Sequence, residues 1–311
     1  MRVATLDIGT NSVLLLIAET GPNGLVPLFE RATITRLGEG VDRTRRLAPA
    51  ARERTRACIE EYAREIARHG VARAAAVGTS ALRDAEGGSS FSAELAGVLG
   101  FTPQVIDGQR EAELTFRGAL SGLTLGTGRV AVFDVGGGST EIVQGTLVPT
   151  RSVTSAVSLD IGSVRLFERH VTTDPPHAEE MARVEADIEC ALATAPPASP
   201  QATLVGVAGT VTTLASIALE LDVYDPARVH GARLTLATVR ELSQKLSRLS
   251  LAERRLLTGL DPRRADVIVV GAAIVVAVMR AHSQSELIVS DRGVRFGLAE
   301  ELANIPENRD H

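Results

Sequence analysis

The 311-residue chain is short of lysine and of aromatic side chains. Lys245 is its one lysine among 33 basic residues, so nearly all of the positive charge is arginine. A Walker loop requires Gly-Lys-Ser/Thr and a protein kinase requires a strand lysine, so both classes are excluded. Tryptophan is absent and tyrosine occurs only at Tyr62 and Tyr224, which leaves few rings for stacking against a nucleobase.

Cysteine and long apolar runs are also scarce. Cys58 and Cys190 lie far apart with no Cys-x-x-Cys pair, which predicts two free thiols in a reducing compartment. The longest apolar run, residues 267–279, is too short to span a bilayer and contains Gly271. A first strand predicted from Arg2 leaves no room for a signal peptide. We therefore expect a cytoplasmic protein.

The net charge of −5 narrows the choice of partners. A mildly acidic chain is not typical of general nucleic-acid binders or of proteins that bind membrane surfaces, so we expect neither partner. The hydrophobic content of 44% is ample for a buried core. A polyanionic ligand would have to be met by local arginines rather than by the overall charge.

One short pattern occurs twice in the sequence. Residues 3–12 read VATLDIGTNS, and residues 130–141 read VAVFDVGGGSTE. Each copy is an apolar strand ending in aspartate, then a glycine turn with hydroxyl residues, then a second apolar run. Either copy alone is typical of an ordinary β-hairpin. The same order of Asp, Gly and Ser found twice predicts two similar halves that face each other across a cleft.

The residues of these turns favour an anion with a cation beside it. Glycine lets the main chain approach a ligand closely, and successive N–H groups in a turn form a concave anion site. The carboxylates of Asp7 and Asp134 would repel a phosphate group, which indicates a divalent cation held between carboxylate and phosphate. Phosphate together with magnesium is the simplest combination that satisfies both turns.

Strands and helices alternate through both halves of the chain, which predicts a two-domain α/β protein. We expect one domain over residues 1–120 and a second over residues 121–296. A C-terminal helix, residues 297–311, is expected to join the first domain.

Three local patterns predict particular helices. Asp174 precedes two prolines and is predicted to cap the helix that follows, and residues 250–253 (SLAE) form a capping box. Residues 265–281 predict a buried helix, because apolar side chains cover every face of it.

Further candidate ligand contacts follow predicted strands. Arg83, in a Thr-Ser-Ala-Leu-Arg segment, is suited to bind a phosphate group through two hydrogen bonds, or is an ordinary surface arginine. Gly209 and Thr210 begin a predicted helix, whose free N–H groups would face an anion. Glu111 or Glu113 is suited to activate a water molecule, and the alternative is a glutamate that stabilises a helix N-terminus.

Two pairs of arginines have no role that the sequence assigns. Arg263 and Arg264 follow a proline, and Arg292 and Arg295 follow the last predicted strand. Either pair is consistent with a phosphate contact or with a solvated surface.

Together these motifs resemble the exopolyphosphatase and guanosine pentaphosphate phosphohydrolase family, within the superfamily of actin, sugar kinases and heat-shock ATPases. The resemblance covers nearly the whole chain and implies two similar ribonuclease H-like domains facing an interdomain cleft. It also implies a homodimer, and it is closest to short members of the family. The segments that carry the resemblance are residues 7–12, 79–83, 134–141, 209–210 and 290–293.

The resemblance implies a role for each motif. Glu111 takes the place of the family's catalytic glutamate, and Arg83 balances charge on the transferred phosphoryl group. Mg²⁺ or another divalent cation is expected between phosphate oxygens and Asp134 with Glu141, and Asp7 is a further candidate ligand. The residues expected to bind substrate phosphates are Gly9, Thr10, Asn11, Ser12, Gly136, Gly137, Gly138, Ser139, Thr140, Gly209 and Thr210.

The expected reaction is hydrolysis of the terminal phosphoryl group of inorganic polyphosphate. The alternatives are the same hydrolysis on guanosine pentaphosphate, an ATP-dependent kinase or ATPase of the superfamily, and a non-catalytic binder of polyphosphate or alarmones. One departure from the family concerns the base: many relatives read Glu-Glu-Ala-Arg where residues 110–113 read Arg-Glu-Ala-Glu. The altered charge beside Glu111 leaves the preferred chain length open.

Overall fold

The computed structural model describes residues 1–22, 24–126, 128–148, 151–197, 199 and 201–305. Its strands form a sheet of five and a sheet of six. The first sheet contains β1 (Arg2–Ile8), β2 (Ser12–Gly21), β3 (Gly24–Ile34), β4 (Arg73–Gly78) and β5 (Gln104–Val105). The second contains β6 (Arg129–Val135), β7 (Thr140–Thr146), β8 (Ser152–Leu159), β9 (Thr203–Val207), β10 (Arg233–Thr235) and β11 (Glu286–Val289).

Helices connect and cover the strands. Those in the first half are α1 (Val41–Thr44), α2 (Pro49–Arg68), α3 (Ser80–Asp84), α4 (Gly88–Leu99) and α5 (Gly108–Ala119). Those in the second half are α6 (Ser163–His170), α7 (Ala178–Leu192), α8 (Ala208–Ala218), α9 (Pro226–Val229), α10 (Leu236–Arg248), α11 (Leu251–Arg254), α12 (Ile268–Ala281) and α13 (Val294–Asn304), with a 3₁₀ turn at Pro262–Arg264.

The two sheets repeat one plan. Each sheet contains three consecutive antiparallel strands, which are β1, β2 and β3 in one and β6, β7 and β8 in the other. The other edge of the first strand of each trio pairs with a parallel strand, β4 beside β1 and β9 beside β6. The second and third strands of each trio shift register once, after Ile17 in one sheet and after Gln144 in the other. The α/β fold of two similar domains is therefore confirmed, and the repeat extends to an irregularity that the sequence did not indicate.

Each domain has its own buried core. Residues such as Leu6, Leu15 and Ile59 form the core of the first domain, and Phe133, Val211 and Ile274 belong to the core of the second. The predicted apolar helix is α12, whose residues are almost all buried. Among the described residues, no helix combines the length and the apolar character that crossing a membrane requires.

The capping prediction at Asp174 was wrong. Helix α7 begins at Ala178, because the Glu180 carboxylate accepts hydrogen bonds from the N–H groups of Thr172 and His177 and thereby closes the first turn. Asp174 instead accepts from the N–H of Leu251, at 2.8 and 2.9 Å, and so caps α11 from a distance in sequence. The capping box at residues 250–253 is confirmed at the start of the same helix.

The two halves are joined through helices α5 and α13. Helix α5 packs on the second sheet, where Phe116 contacts the cluster that contains Val143 and Val205. Helix α13 packs on the first sheet, with Phe296 against Val3 and Leu16. Helix α13 begins and ends earlier than the predicted helix of residues 297–311, and residues 306–311 lie outside the described residues, so the assignment of that helix to the first domain stays a prediction. The domain limits of 1–120 and 121–296 remain a prediction.

The crossing of α5 and α13 depends on glycine. A Cβ on Gly297 would overlap the carbonyl oxygen of Leu114, and a Cβ on Gly118 would lie 2.8 Å from the nitrogen of Gly297. The main chains of the two helices therefore touch, and neither position has room for a side chain.

We expect Gly297→Ala to destabilise the protein by about 1–3 kcal/mol, because the added methyl group must push two helix backbones apart. Gly97→Ala is the matched control, since Gly97 is an exposed residue of α4 and a Cβ there meets nothing within 4 Å. The control should be neutral, or should gain up to about 1 kcal/mol from helix propensity. Thermal unfolding of both variants checks this, and equal midpoints would show that the helices do not touch at Gly297.

Candidate active site

The two glycine turns have the same internal geometry. The N–H of Gly9 donates to the carbonyl of Ser12 at 3.0 Å, and the N–H of Gly136 donates to the carbonyl of Ser139 at 3.0 Å. Aspartate is the next-to-last residue of the strand before each turn, and Asp134 lies opposite Glu141 in the register of β6 and β7. The repeat seen in the sequence is therefore also a repeat of hydrogen bonding.

The two turns meet at the base of the interdomain cleft. A Cβ on Gly137 would lie 3.0 Å from Cβ and Cγ2 of Thr10, and a Cβ on Gly138 would lie 2.9 Å from the Thr10 hydroxyl and would overlap the Ser80 hydroxyl. The glycines of the second turn are thus required by the close approach of the first domain. This contact brings both sets of turn N–H groups to one cavity.

The cavity between the turns has a volume of about 610 Å³. Most of the residues predicted for the site line it: Asp7, Gly9, Thr10, Asn11, Ser12, Glu111, Asp134, Gly136, Gly137, Gly138, Ser139, Gly209 and Thr210. Thr79, Ser80, Arg264 and Arg295 also line it. Arg83, Thr140 and Glu141 are not part of this lining.

Thr140 and Glu141 lie beside the second turn, outside the lining of the cavity. The Thr140 hydroxyl is buried and donates to the carbonyl of Ile161 at 2.7 Å, so this hydroxyl supports the chain after β8. The carboxylate of Glu141 is buried and accepts from the Ser158 hydroxyl at 2.6 Å. Adjacent side chains of a strand point to opposite faces, and residues paired across antiparallel strands share a face, so Glu141 lies on the face that carries Asp134 and Thr140 lies on the other.

Burial and mutual repulsion raise the pKa values of the cleft carboxyl groups. Burial raises the pKa of Asp7 to about 7, with the Glu141 charge adding to it and Arg295 opposing it. The pKa of Asp134 is well above its ordinary value because the group is buried and faces the charges of Glu141 and Asp7. Burial also raises the pKa of Glu141, despite its hydrogen bonds. These groups favour either protons or a cation at neutral pH.

The carboxylates fit a divalent cation that the substrate helps to bind. In the described part of the chain, no three His, Cys, Asp or Glu side chains lie close enough to form a metal site by themselves. Magnesium is commonly held by one or two carboxylates together with phosphate oxygens and water. The buried Oδ1 atom of Asp7 accepts no hydrogen bond from the described residues, which leaves it available to a cation or its water.

Glu111 is the one of the two candidate glutamates that faces the cleft. It lies in the first turn of α5, where the carboxylate of Asp107 caps the helix by accepting from the N–H of Arg110 at 2.8 Å. Its side chain is buried, and Arg83 Nη1 donates to its Oε2 at 2.8 Å. Glu113 is half-exposed and pairs with Arg110.

Glu111 has an environment suited to a general base. Burial and the Glu141 charge raise the pKa of Glu111 well above its ordinary value, while the hydrogen bond from Arg83 opposes this. Raising the pKa of a carboxyl group towards neutrality increases its affinity for a proton. Arg83 also donates to the carbonyl of Ile106 at 3.3 Å, so it fixes Glu111 to the end of β5.

The four arginines left without a role have different surroundings. Arg264 lies against Gly209 and donates to the hydroxyl of Ser12 at 3.1 Å. Within the described chain, no carboxylate oxygen lies within ion-pair distance of Arg264, whereas Arg263 pairs with Asp261 and Arg295 with Glu30. Arg292 lies over the ring of Phe296. Of these four arginines, Arg264 is therefore the one that lines the cavity and has no carboxylate partner among the described residues.

Helix α8 presents its N-terminus to the cavity. It begins at Ala208, and none of the described side chains caps it. The Thr210 hydroxyl donates to the carbonyl of Val135 at 3.1 Å, which ties this helix to the strand that carries Asp134. The uncapped N–H groups of Gly209 and Thr210 are consistent with the predicted third anion contact.

Two similar α/β domains, with paired glycine turns and the buried carboxyl group of Glu111 at one cavity, fit a hydrolase of phosphoanhydride bonds. The chain belongs to the Ppx/GppA phosphatase family, whose profile matches residues 16–304.

Similar proteins match along the whole chain. Exopolyphosphatase 2 of Mycobacterium tuberculosis is 40% identical over 319 aligned residues, which cover 97% of this chain and 98% of that protein. A solved exopolyphosphatase-like protein has a TM-score of 0.91 at 35% identity, over 97% of this chain and 98% of that one. The Aquifex aeolicus member of the Ppx/GppA family has a TM-score of 0.82 at 34% identity, over 98% and 99%.

Asp7 gives the metal-free protein a predictable dependence of stability on pH. The folded protein binds the Asp7 proton more tightly than the unfolded chain, in which aspartate titrates near 3.8, because burial raises the folded pKa to about 7. This contribution to stability is complete below the unfolded pKa and is lost as the pH rises through the folded pKa.

Asp7→Asn should therefore stabilise the metal-free protein at pH 8, by about 1–2 kcal/mol, and should give no gain at pH 4. This gain in the free energy of unfolding is smaller than the full rise in the pKa of Asp7 implies, because the carboxylate faces the cleft and is partly screened by solvent. Asp187→Asn is the contrasting control: hydrogen bonds from His170 and Arg169 lower the pKa of Asp187, so this variant should lose stability at pH 8. Thermal unfolding in EDTA at both pH values checks both signs, and a destabilised Asp7→Asn at pH 8 would contradict the assignment.

Proposed function

We propose that the protein is an exopolyphosphatase that hydrolyses the terminal phosphoryl group of inorganic polyphosphate. The observation that carries the proposal is the placement of Glu111, buried and held by Arg83, in the same cavity as the two phosphate-type turns. The similarity to Exopolyphosphatase 2 over 97% of the chain supports the same activity.

The two turns bind the terminal phosphates of the chain. N–H groups of residues 10–12 and 137–139 and the N-terminus of α8 donate to phosphate oxygens, and Arg264 meets the negative charge that remains. Positioning and electrostatic stabilisation carry most of the catalysis in phosphoryl transfer, because the loose transition state needs little covalent help from the protein.

Asp134 and Asp7 would hold a divalent cation in contact with the phosphates, and Glu141, opposite Asp134 on the neighbouring strand, would add its negative charge. Bound there, Mg²⁺ would supply positive charge to phosphate oxygens as the anhydride bond breaks. The raised pKa values of these carboxyl groups are consistent with a site that is stable only when a cation or protons neutralise it.

Glu111 activates the attacking water. The water oxygen forms a bond to the terminal phosphorus, its proton passes to the Glu111 carboxylate, and the bond from phosphorus to the bridging oxygen breaks. Orthophosphate and a polyphosphate shorter by one unit leave the site. Arg83 holds the Glu111 carboxylate in place during the attack, so it acts on the base at least as much as on the transferred group.

Guanosine pentaphosphate is the second candidate substrate, because it offers the same terminal phosphoanhydride. One observation favours it: Tyr224 lies in the cavity wall, beyond the turns, and is partly exposed. Its ring could stack on a base, although its hydroxyl is already committed to Asp291 at 2.6 Å. Polyphosphate needs no such contact and remains the first choice.

We further propose that the protein acts in the cytoplasm as a homodimer that requires Mg²⁺, as the family resemblance implies. Light scattering of the purified protein tests the dimer. Phosphate release with Mg²⁺, and after EDTA treatment, tests the metal.

A side-by-side assay tests the activity. The purified protein is incubated with Mg²⁺ and polyphosphates of several lengths, guanosine pentaphosphate or ATP, and released orthophosphate is measured. Release from polyphosphate is expected. Release from ATP alone would contradict the proposal and favour an ATPase, and tight binding without release would favour a non-catalytic binder.

Glu111→Gln should lower kcat by roughly a hundred-fold or more, because glutamine keeps the shape of the side chain but cannot accept the proton. Glu113→Gln is the matched control on the same helix, since Glu113 is half-exposed and outside the cavity lining. It should keep its activity. Steady-state kinetics on polyphosphate checks both variants, and an active Glu111→Gln would remove Glu111 from the mechanism.

A further inference from the structure

Arg165 connects the second turn to the first domain. It lies in the first turn of α6 with 7% of its side chain exposed, and its Nε donates to the carbonyl of Gly138 at 2.5 Å. Nη1 donates to Asp42 at 2.8 Å, and Nη2 donates to Asp84. One guanidinium therefore holds the catalytic cleft's second turn and two carboxylates of the opposite domain.

The contact with Gly138 completes a set of hydrogen bonds that orients the turn. The N–H of Ser163 donates to the carbonyl of Gly136 at 3.0 Å, and the N–H of Val164 donates to the carbonyl of Gly137 at 2.9 Å. With Arg165 on Gly138, three successive carbonyls point towards α6. Helix α6 thus holds the carbonyls behind the turn and leaves the opposite, N–H side of the turn to the cavity.

The contact with Asp84 leads to the base. Asp84 is the last residue of α3 and directly follows Arg83, whose guanidinium holds Glu111 at 2.8 Å. These two neighbouring residues therefore link the two parts of the site. Arg83 binds Glu111, the base on α5, and Asp84 binds Arg165, which holds the second turn. Neither Arg165 nor Asp84 needs to touch the substrate.

We propose that Arg165 is a positioning residue, which sets the distance between the phosphates held by the second turn and the water activated by Glu111. This inference rests on the proposed hydrolysis. A displacement of about 1 Å between reacting groups is enough to cost about a hundred-fold in rate, while the turn N–H groups still bind phosphate. Loss of Arg165 therefore lowers kcat much more than it raises KM.

Arg169 provides the matched control. It lies on the same helix, has the same charge and also binds Asp42, at 3.0 Å, but its other partner is Asp187 on α7. None of its hydrogen bonds reaches Gly138 or Asp84. If the substitutions only weakened the contact between the domains, the Arg165 and Arg169 variants would lose activity alike. A loss of kcat in the Arg165 variant alone indicates the positioning role.

The kinetic experiment compares Arg165→Gln, Asp84→Asn and Arg169→Gln on polyphosphate. We expect kcat to fall ten- to a hundred-fold in the first two variants with KM within about threefold, and to stay within about threefold in Arg169→Gln. Asp84→Asn leaves Arg165 in place and is nearly isosteric, so it tests the link even where Arg165→Gln folds poorly. Unchanged kcat in a folded Asp84→Asn, or an effect mainly on KM, overturns the proposal.

A second measurement does not depend on activity. One spin label is attached to Cys190, which is exposed on α7, and a second to a cysteine introduced by Glu53→Cys at an exposed position of α2. Cys58 is buried, so it should not be labelled. Pulsed electron paramagnetic resonance then measures the distance between the two domains. Arg165→Gln should broaden the distance distribution, and Arg169→Gln should leave it close to that of the labelled parent. An unbroadened distribution for Arg165→Gln contradicts the inference. If the unsubstituted protein releases no phosphate, the proposed function is wrong. The distance measurement then tests by itself whether Arg165 links the two domains.

Discussion

Repulsion among four buried carboxyl groups is the constraint around which this cleft is organised. Asp7, Glu111, Asp134 and Glu141 come from strands and a helix of both halves. Burial raises the pKa of each, and the charge of a neighbouring carboxylate adds to the rise for Asp7, Glu111 and Asp134. Such a cluster is stable only if rigid elements hold its members and if protons, arginines or cations neutralise them. The sheets supply the rigidity, and Arg83 supplies part of the charge. A cation bound beside phosphate in the cleft would relieve the same repulsion.

The second requirement is that a turn should offer its N–H groups and hide its carbonyls. Both turns achieve this by being held from behind. The N–H groups of Thr35 and Arg36 donate to the carbonyl of Asn11, and that of Gly38 donates to the carbonyl of Thr10. Helix α6 does the same for the second turn. The contacts that hold the first turn come from its own domain. Those that hold the second turn come from α6, whose Arg165 also binds the first domain. The two turns are therefore alike in shape and unequal in how closely they are tied to the other half.

The local features of the site were readable from the sequence, and the long-range ones were not. Apolar strands that lead through Asp-x-Gly predicted both turns, and the family resemblance separated Glu111 from Glu113. Arg264 remained ambiguous because its partner Ser12 is 252 residues away, and the link from Arg165 to Asp84 spans 81 residues. No spacing rule relates such pairs. The error at Asp174 has the same origin, since a capping residue can serve a helix far along the chain.

The packing of α13 on β1 has a consequence for the order of events during folding. The Thr5 hydroxyl donates to the carbonyl of Arg295, 290 residues further along the chain, and Phe296 and Ala299 cover Val3 on the same strand. Contacts so distant in sequence form late in folding. The strand that carries Asp7 therefore gains its cover only when the two ends of the fold meet, so the cleft should be completed in one of the last steps.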